Sequence, residues 1–115
     1  AVAEYWKTHY QFDKESPKKQ KILTKSFIDL LIINTIIPIQ FAYAKSHSKD
    51  NTEEIIAILN NVSAESNVVI DKFTSFGIKS KNAFESQSLL QLKNEYCNKI
   101  RCLECSIGIE LLKNN

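Results

Sequence analysis

Between about Lys19 and His47 the chain gathers Phe27, Ile28, Leu30, Leu31, Ile32, Ile33, Ile36, Ile37, Ile39, Phe41 and Tyr43 into one run. Such a run has to leave water, and only a protein core or a bilayer offers somewhere to go. Phe27 to Ala44 is about the length at which a spanning helix becomes possible. Asp29, Asn34, Thr35, Pro38 and Gln40 interrupt it, and a carboxylate in mid-segment costs about 2.5–3.5 kcal/mol on insertion scales. The run therefore reads as the core helix of a soluble domain, with no membrane as partner. Pro38 lacks an amide hydrogen and its ring clashes with the preceding turn, so a kink or a split is expected near Asn34 and Thr35.

The rest of the chain reads as helix as well. Two glycines and two prolines in 115 residues leave few breaks, and apolar residues recur at intervals of three and four. A short helix or helix end is expected from about Val2 to Tyr10, followed by a lysine-rich connection through Ser16 and Pro17. Beyond the hydrophobic run, Asp50 to Glu54 supply cap and first-turn acids for a helix ending near Asn60 and Asn61. Another helix is expected from about Glu65 to Phe76, stopped by Gly77. Ser80 opens a further one toward Cys97, and Leu103 to Lys113 form the last. With 43% hydrophobic residues, the length suits one domain over residues 1–115. The expected class is all-α, a single irregular bundle of about five to seven helices around a central, proline-kinked hydrophobic helix.

The chemistry concentrates in Cys97, Cys102 and Cys105, the chain's three cysteines. A Cys-x4-Cys-x2-Cys spacing lets three thiolates converge on one soft or borderline metal from a helix end and the turn after it. A fourth ligand has to come from elsewhere, and His9 would complete a Cys3His zinc site tying the first helix to the last two. His47, between two serines, reads as a solvated loop residue. Two other readings stay open: small thiols packed at a helix junction, and a redox-active Cys-x-x-Cys pair. An odd count, close spacing and no hydrophobic leader point to a reducing compartment, the cytoplasm, more than to a secreted disulfide framework.

Asn34, Glu65, Asn67 and Gln87 are polar residues set among apolar ones, and burial would force them to bond to one another or to helix ends. The formal charge of +2 announces no particular partner, yet Lys14, Lys18, Lys19, Lys21 and Lys25 crowd one stretch. With Lys72, Lys79, Lys81, Lys99 and Arg101 they could contact nucleic-acid phosphates, with Trp6 or a tyrosine stacking on a base. The chain holds no Gly-rich phosphate loop, no nucleophile elbow and no His-Glu-x-x-His helix. No catalytic residue is assigned to it.

Ala1 to Trp6 read as the middle of a helix, so a C-terminal fragment of a longer protein is expected. Ordered motifs support a resemblance: Tyr5-Trp6-x-x-His9-Tyr10, then Asn34 to Pro38 with Phe41 to Ala44, then Glu65-x-Asn67, Ser86-Gln87-x-Leu89-Leu90-x-Leu92, and Tyr96-Cys97 with Cys102-Leu103-x-Cys105-x-Ile107-Gly108. Over nearly the whole chain they resemble the C-terminal part of a bacterial family known as domain of unknown function 2851. The resemblance implies a longer polypeptide, whose N-terminal part is similar to restriction-endonuclease-like nucleases. The family has no established reaction. Together with the cysteine spacing, the resemblance points to a helical accessory domain on a nucleic-acid-processing protein, stapled at the cysteine cluster by zinc or, with less support, by an iron-sulfur cluster. Some such nucleases carry a cluster of that kind, which normally takes four cysteines. The alternative is a metal-free interaction domain packing on the missing N-terminal part, with aromatic surface around Tyr5, Trp6 and Tyr10.

Overall fold

A computed structural model describes residues 2–114. A 3-10 turn at Glu4–Lys7 leads into an antiparallel hairpin of β1 (His9–Gln11) and β2 (Lys14–Glu15). Next, α1 (Lys25–Leu31), a π-helical turn (Ile32–Ile36) and α2 (Ile37–Ser46) run as one continuous helix. Then follow α3 (Thr52–Asn61), α4 (Val68–Ser75), α5 (Ala83–Gln91) with a π-helical extension (Leu92–Cys97), a 3-10 turn (Cys102–Glu104) and α6 (Ser106–Lys113). With α1 and α2 taken together the described residues form five helices, and the fold is mostly helical, as expected of an all-α bundle.

The hairpin replaces the helix expected from Val2 to Tyr10. Asp13 turns the chain in the left-handed region at φ 57°, which aspartate tolerates better than most residues, and its N–H donates to the Tyr5 hydroxyl at 3.2 Å. His9 stacks on Tyr5 with 3.9 Å between ring centroids, and Phe12 meets Trp6 edge-on at 5.1 Å. These ring contacts run between the 3-10 turn and the residues of the hairpin after it, at spacings of four and six residues, so periodicity of the apolar residues alone could not reveal the hairpin. The ladder pairs His9 with Glu15 and Gln11 with Lys14, with an irregularity between.

The long helix starts at Lys25 and not near Lys19, because Thr24 caps it: its Oγ1 accepts the Phe27 N–H at 3.2 Å. Lys25 bonds Asp29 one turn on at 2.7 Å and reaches Ser63 at 3.1 Å, tying the helix to the loop after α3. Pro38 cannot donate an amide, and the π turn that precedes it absorbs the defect near Asn34 and Thr35, with Ile37 N–H donating five residues back to the Ile32 carbonyl. The remaining caps are local. Asn67 Oδ1 accepts from Val69 and Ile70, each at 3.0 Å, and opens α4. Asn82 accepts from Glu85 N–H at 3.0 Å, which sets the start of α5 at Ala83 instead of Ser80.

The centre of the fold is small. Ile33, Val62 and Ala83 form a buried cluster, with Ile32, Ile58 and Leu59 packed against it. The long helix therefore offers the core only a stripe that includes Ile33, Ile37 and Ala44. Only 17% of its most apolar window is buried, and Phe27, Ile39, Phe41 and Tyr43 face solvent. Sequence reading expected a buried core helix; the segments that cover it, α3 and the start of α5, reach one side. The molecule is correspondingly open, with a radius of gyration of 19.7 Å over 65 × 40 × 25 Å, where a compact chain of this length measures about 13 Å.

Acid should loosen this fold in a definite window. Hydrogen bonding to Lys25, against an opposing desolvation, holds the Asp29 carboxyl below its ordinary range. Partners likewise lower Glu4 (Lys7), Asp50 (Thr52), Glu95 (Lys99) and Glu104 (Arg101). A carboxyl lowered by folding stabilises fully above its unfolded value, and that stabilisation disappears as pH falls through the folded one. Thermal melts should be flat from about pH 7 to 5 and decline below about pH 4, and Asp29→Asn should remove part of the decline.

Candidate functional site

The three cysteines occupy one corner but three different settings. Cys97 ends the π extension and is exposed, Cys102 lies exposed in the 3-10 turn, and Cys105 is buried at the start of α6. The loop between the first two closes through Asn98 N–H to Lys93 C=O at 2.8 Å and Arg101 N–H to Tyr96 C=O at 2.9 Å. Ile100 takes φ 53° there, a left-handed conformation that a β-branched residue rarely adopts. Arg101 pairs with Glu104 and lies over the Tyr96 ring at 5.3 Å, while Lys99 pairs with Glu95 at 2.5 Å. The Arg101 guanidinium is held above its ordinary value by its bond to Glu104.

Cys97 instead borders an apolar cleft of about 430 Å³ with Val68, Val69, Phe73 and Phe76, rimmed by Lys72 and Lys93. His9 is engaged inside the hairpin, its Nδ1 within 2.8 Å of the Tyr5 carbonyl and 3.0 Å of Thr8 Oγ1. His47 makes the same kind of bond to the Tyr43 carbonyl at 2.9 Å, at the end of α2. Among the described residues, no three His, Cys, Asp or Glu side chains stand together so as to hold a metal ion.

The polar residues do come together, with one exception. Glu65 accepts from Asn67 Nδ2 at 2.9 Å through Oε1 and from Gln87 Nε2 at 2.8 Å through Oε2. The Glu65 N–H donates to Ser86 Oγ at 3.1 Å, and Ser86 in turn donates to the Ala83 carbonyl at 3.1 Å. Asn34 stays outside, bonding the Leu30 carbonyl of its own helix at 3.0 Å. The network fastens the loop before α4 to α5, which makes it a structural clamp. Ser86 is its fully buried member and was not singled out for that role from sequence. The available signal was a small polar residue one turn after Ala83 on the apolar side of α5. Ser86→Ala should cost about 1–3 kcal/mol, because it strands the Glu65 N–H without an acceptor, and the loss would be read as a lower denaturant midpoint at unchanged slope.

The lysines of the N-terminal stretch also converge. Lys7, Lys18, Lys19 and Lys21 line an open cleft of about 820 Å³ together with Val2, Ile22 and Leu23. Lys21 Nζ donates to the His9 carbonyl and sits 3.6 Å from the centre of the Tyr10 ring.

A family model described as "Protein of unknown function (DUF2851)" matches residues 1–68. That range holds the hairpin, the long helix, α3 and the Glu65–Asn67 pair, whereas Ser86, Gln87 and the three cysteines lie beyond it. The match is thus narrower than the nearly whole-chain likeness drawn from the motifs. The comparisons with curated proteins and with solved structures give no match. Because more than half of the chain fits the family model, the protein belongs to the family of unknown function DUF2851.

Proposed function

We propose that the chain is a cytoplasmic helical docking module, and that the exposed side of its long helix packs against the remainder of a longer polypeptide of the family. One observation carries this reading: the accessible surface is 9208 Å², against about 6,400 Å² for a compact monomer of this mass. The excess of roughly 2,800 Å² on one chain is about what one partner loses in a large obligate interface, and Phe27, Ile28, Ile39, Phe41 and Tyr43 on Lys25–Ser46 are among the exposed apolar residues that make it up. That helix is long and apolar enough to cross a membrane. Its other side, however, carries Ile33 into a common core with Val62 and Ala83, and Lys25 bonds Ser63. Insertion would drag α3, with Glu53 and Glu54 in its first turn, toward the bilayer at a cost of several kcal/mol. Docking on protein leaves those groups in water.

The test is co-expression of the chain with the remaining part of a family polypeptide. Recovery of a stoichiometric soluble complex is the expected result; partition of the chain into membranes in the presence of that part would overturn the reading. The nuclease-like activity of the whole polypeptide belongs to the same proposal, with this chain as its non-catalytic accessory.

A zinc staple through Cys97, Cys102, Cys105 and His9 makes a different forecast. The docking module needs no metal: reduced protein should carry zinc far below one ion per chain, and the exposed Cys102→Ser should leave the melting temperature within about 1–2 °C. One zinc per chain with a heavy loss of stability at Cys102→Ser would establish the staple instead.

A further inference from the structure

We infer that the N-terminal hairpin and its lysine-lined cleft bind single-stranded nucleic acid, with phosphates on Lys14, Lys18, Lys19 and Lys21 and bases on the rings of Tyr10 and Phe12. Charge is the first ground. Residues 1–25 hold six lysines against three acids, while the rest of the chain holds nine basic residues against ten acidic ones. The whole positive excess is therefore local, although the total charge of +2 conceals it. The second ground is geometry, because Lys7, Lys18, Lys19 and Lys21 border one cleft instead of radiating into solvent. Glu4 neutralises part of that field by pairing with Lys7 at 2.6 Å and Lys18 at 3.6 Å, whereas Lys14 and Lys19 form no ion pair among the described residues. Lys18 stays 70% exposed despite its partner, so a phosphate can take Glu4's place on it.

The third ground separates a nucleic acid from any other polyanion. Tyr5, Trp6, His9 and Phe12 form a cluster of rings on the same N-terminal segment as Lys7, and Phe12 at its edge is 77% exposed, with Tyr10, two residues earlier in β1, at 63%. Rings left so open add little to the fold, yet Phe12 is set against Trp6 and Tyr10 against Lys21. With Lys21 Nζ against the Tyr10 ring, a cation and an aromatic surface lie within the span of one nucleotide. Interleaved rings and ammonium groups are what unstacked bases on a charged backbone require, whereas a duplex offers its bases to no ring. An anionic membrane could also take up lysines beside exposed rings, so vesicles enter the test below as the competing ligand.

The experiment titrates the 115-residue chain against fluorescein-labelled single strands of about 12 nucleotides of mixed sequence, one RNA and one DNA, with Trp6 emission as a second signal. Trp6 is the chain's one tryptophan and its ring contacts Phe12, so stacking should quench it. Binding to at least one strand at about 50 mM salt is expected, with log K falling against log salt at a slope near −3, about −0.7 for each of four phosphates. The double variant Lys18→Glu with Lys19→Glu should weaken binding at least tenfold or so. Phe12→Ala should weaken it about fivefold or more and leave the slope unchanged. Both changes lie on exposed side chains, and matched circular dichroism spectra establish that the variants are folded. The proposal is overturned if neither strand binds at low salt, if heparin binds equally well and Phe12→Ala changes nothing, or if phosphatidylglycerol vesicles are bound in preference to both strands.

Discussion

Replacing Gly108 with alanine is expected to detach α6 from the turn that precedes it. A Cβ at this position would stand 2.2 Å from the Cys102 carbonyl oxygen, 3.0 Å from its carbonyl carbon and 3.1 Å from its Cα. All three obstacles are backbone, so no side chain can rotate away, and the helix and the turn must separate. The expected cost is about 2–4 kcal/mol, at the upper end for overpacking by one methyl group. Two readouts distinguish the mechanism. Amide exchange should rise selectively over α6, and the Cys105 thiol, buried in the native fold, should react with a disulfide reagent at a rate approaching those of Cys97 and Cys102. Gly77 provides the contrast. Nothing lies within 4 Å of its would-be Cβ, but its φ of +88° is strained for any L side chain, so Gly77→Ala should cost only about 1 kcal/mol and leave Cys105 protected. Unchanged Cys105 reactivity in Gly108→Ala would mean that the close approach of α6 to Cys102 does not hold that corner together.

The same corner shows why spacing along a chain is a poor guide to convergence in space. Cys-x4-Cys-x2-Cys could be read from the sequence, but the left-handed turn at Ile100 could not, because a β-branched residue is an improbable choice for it. Helix stops were more legible than helix starts. Gly77 ends its helix as its freedom at positive φ predicts, whereas Asn67 and Asn82 cap α4 and α5 a few residues beyond the starts read at Glu65 and Ser80, because several polar residues there compete for the cap. Glu65, Asn67 and Gln87 met because satisfying buried polar groups is a strong constraint, while Asn34 found an acceptor one turn back on its own exposed helix and needed no other. The hairpin was hidden because a left-handed turn at Asp13, whose N–H donates to the Tyr5 hydroxyl, makes it, and not a period. The long helix was legible as a helix; hydropathy said that it must be covered, and could not say by what.

Ile39→Asp is therefore expected to abolish docking while leaving the chain folded. Ile39 lies in α2 and is 63% exposed, so in the isolated chain a carboxylate there stays in water and should change stability by no more than about 0.5–1 kcal/mol. Against a protein surface the same carboxylate would be buried without a partner, at a cost of several kcal/mol, which weakens association at least a hundredfold or so. Ile33→Ala is the complement. Ile33 is 6% exposed within the core cluster, so its truncation should cost about 2–4 kcal/mol and lower the melting temperature, while leaving intact the outer face on which the partner sits. Co-purification with the remaining family polypeptide and thermal melts of both variants decide the matter. Loss of capture with Ile39→Asp, and loss of stability with Ile33→Ala, would establish a helix with two faces, one for its own core and one for a partner. If Ile39→Asp instead melted as early as Ile33→Ala and was still captured, the exposed face would be closed by the chain itself, and the docking surface would lie elsewhere.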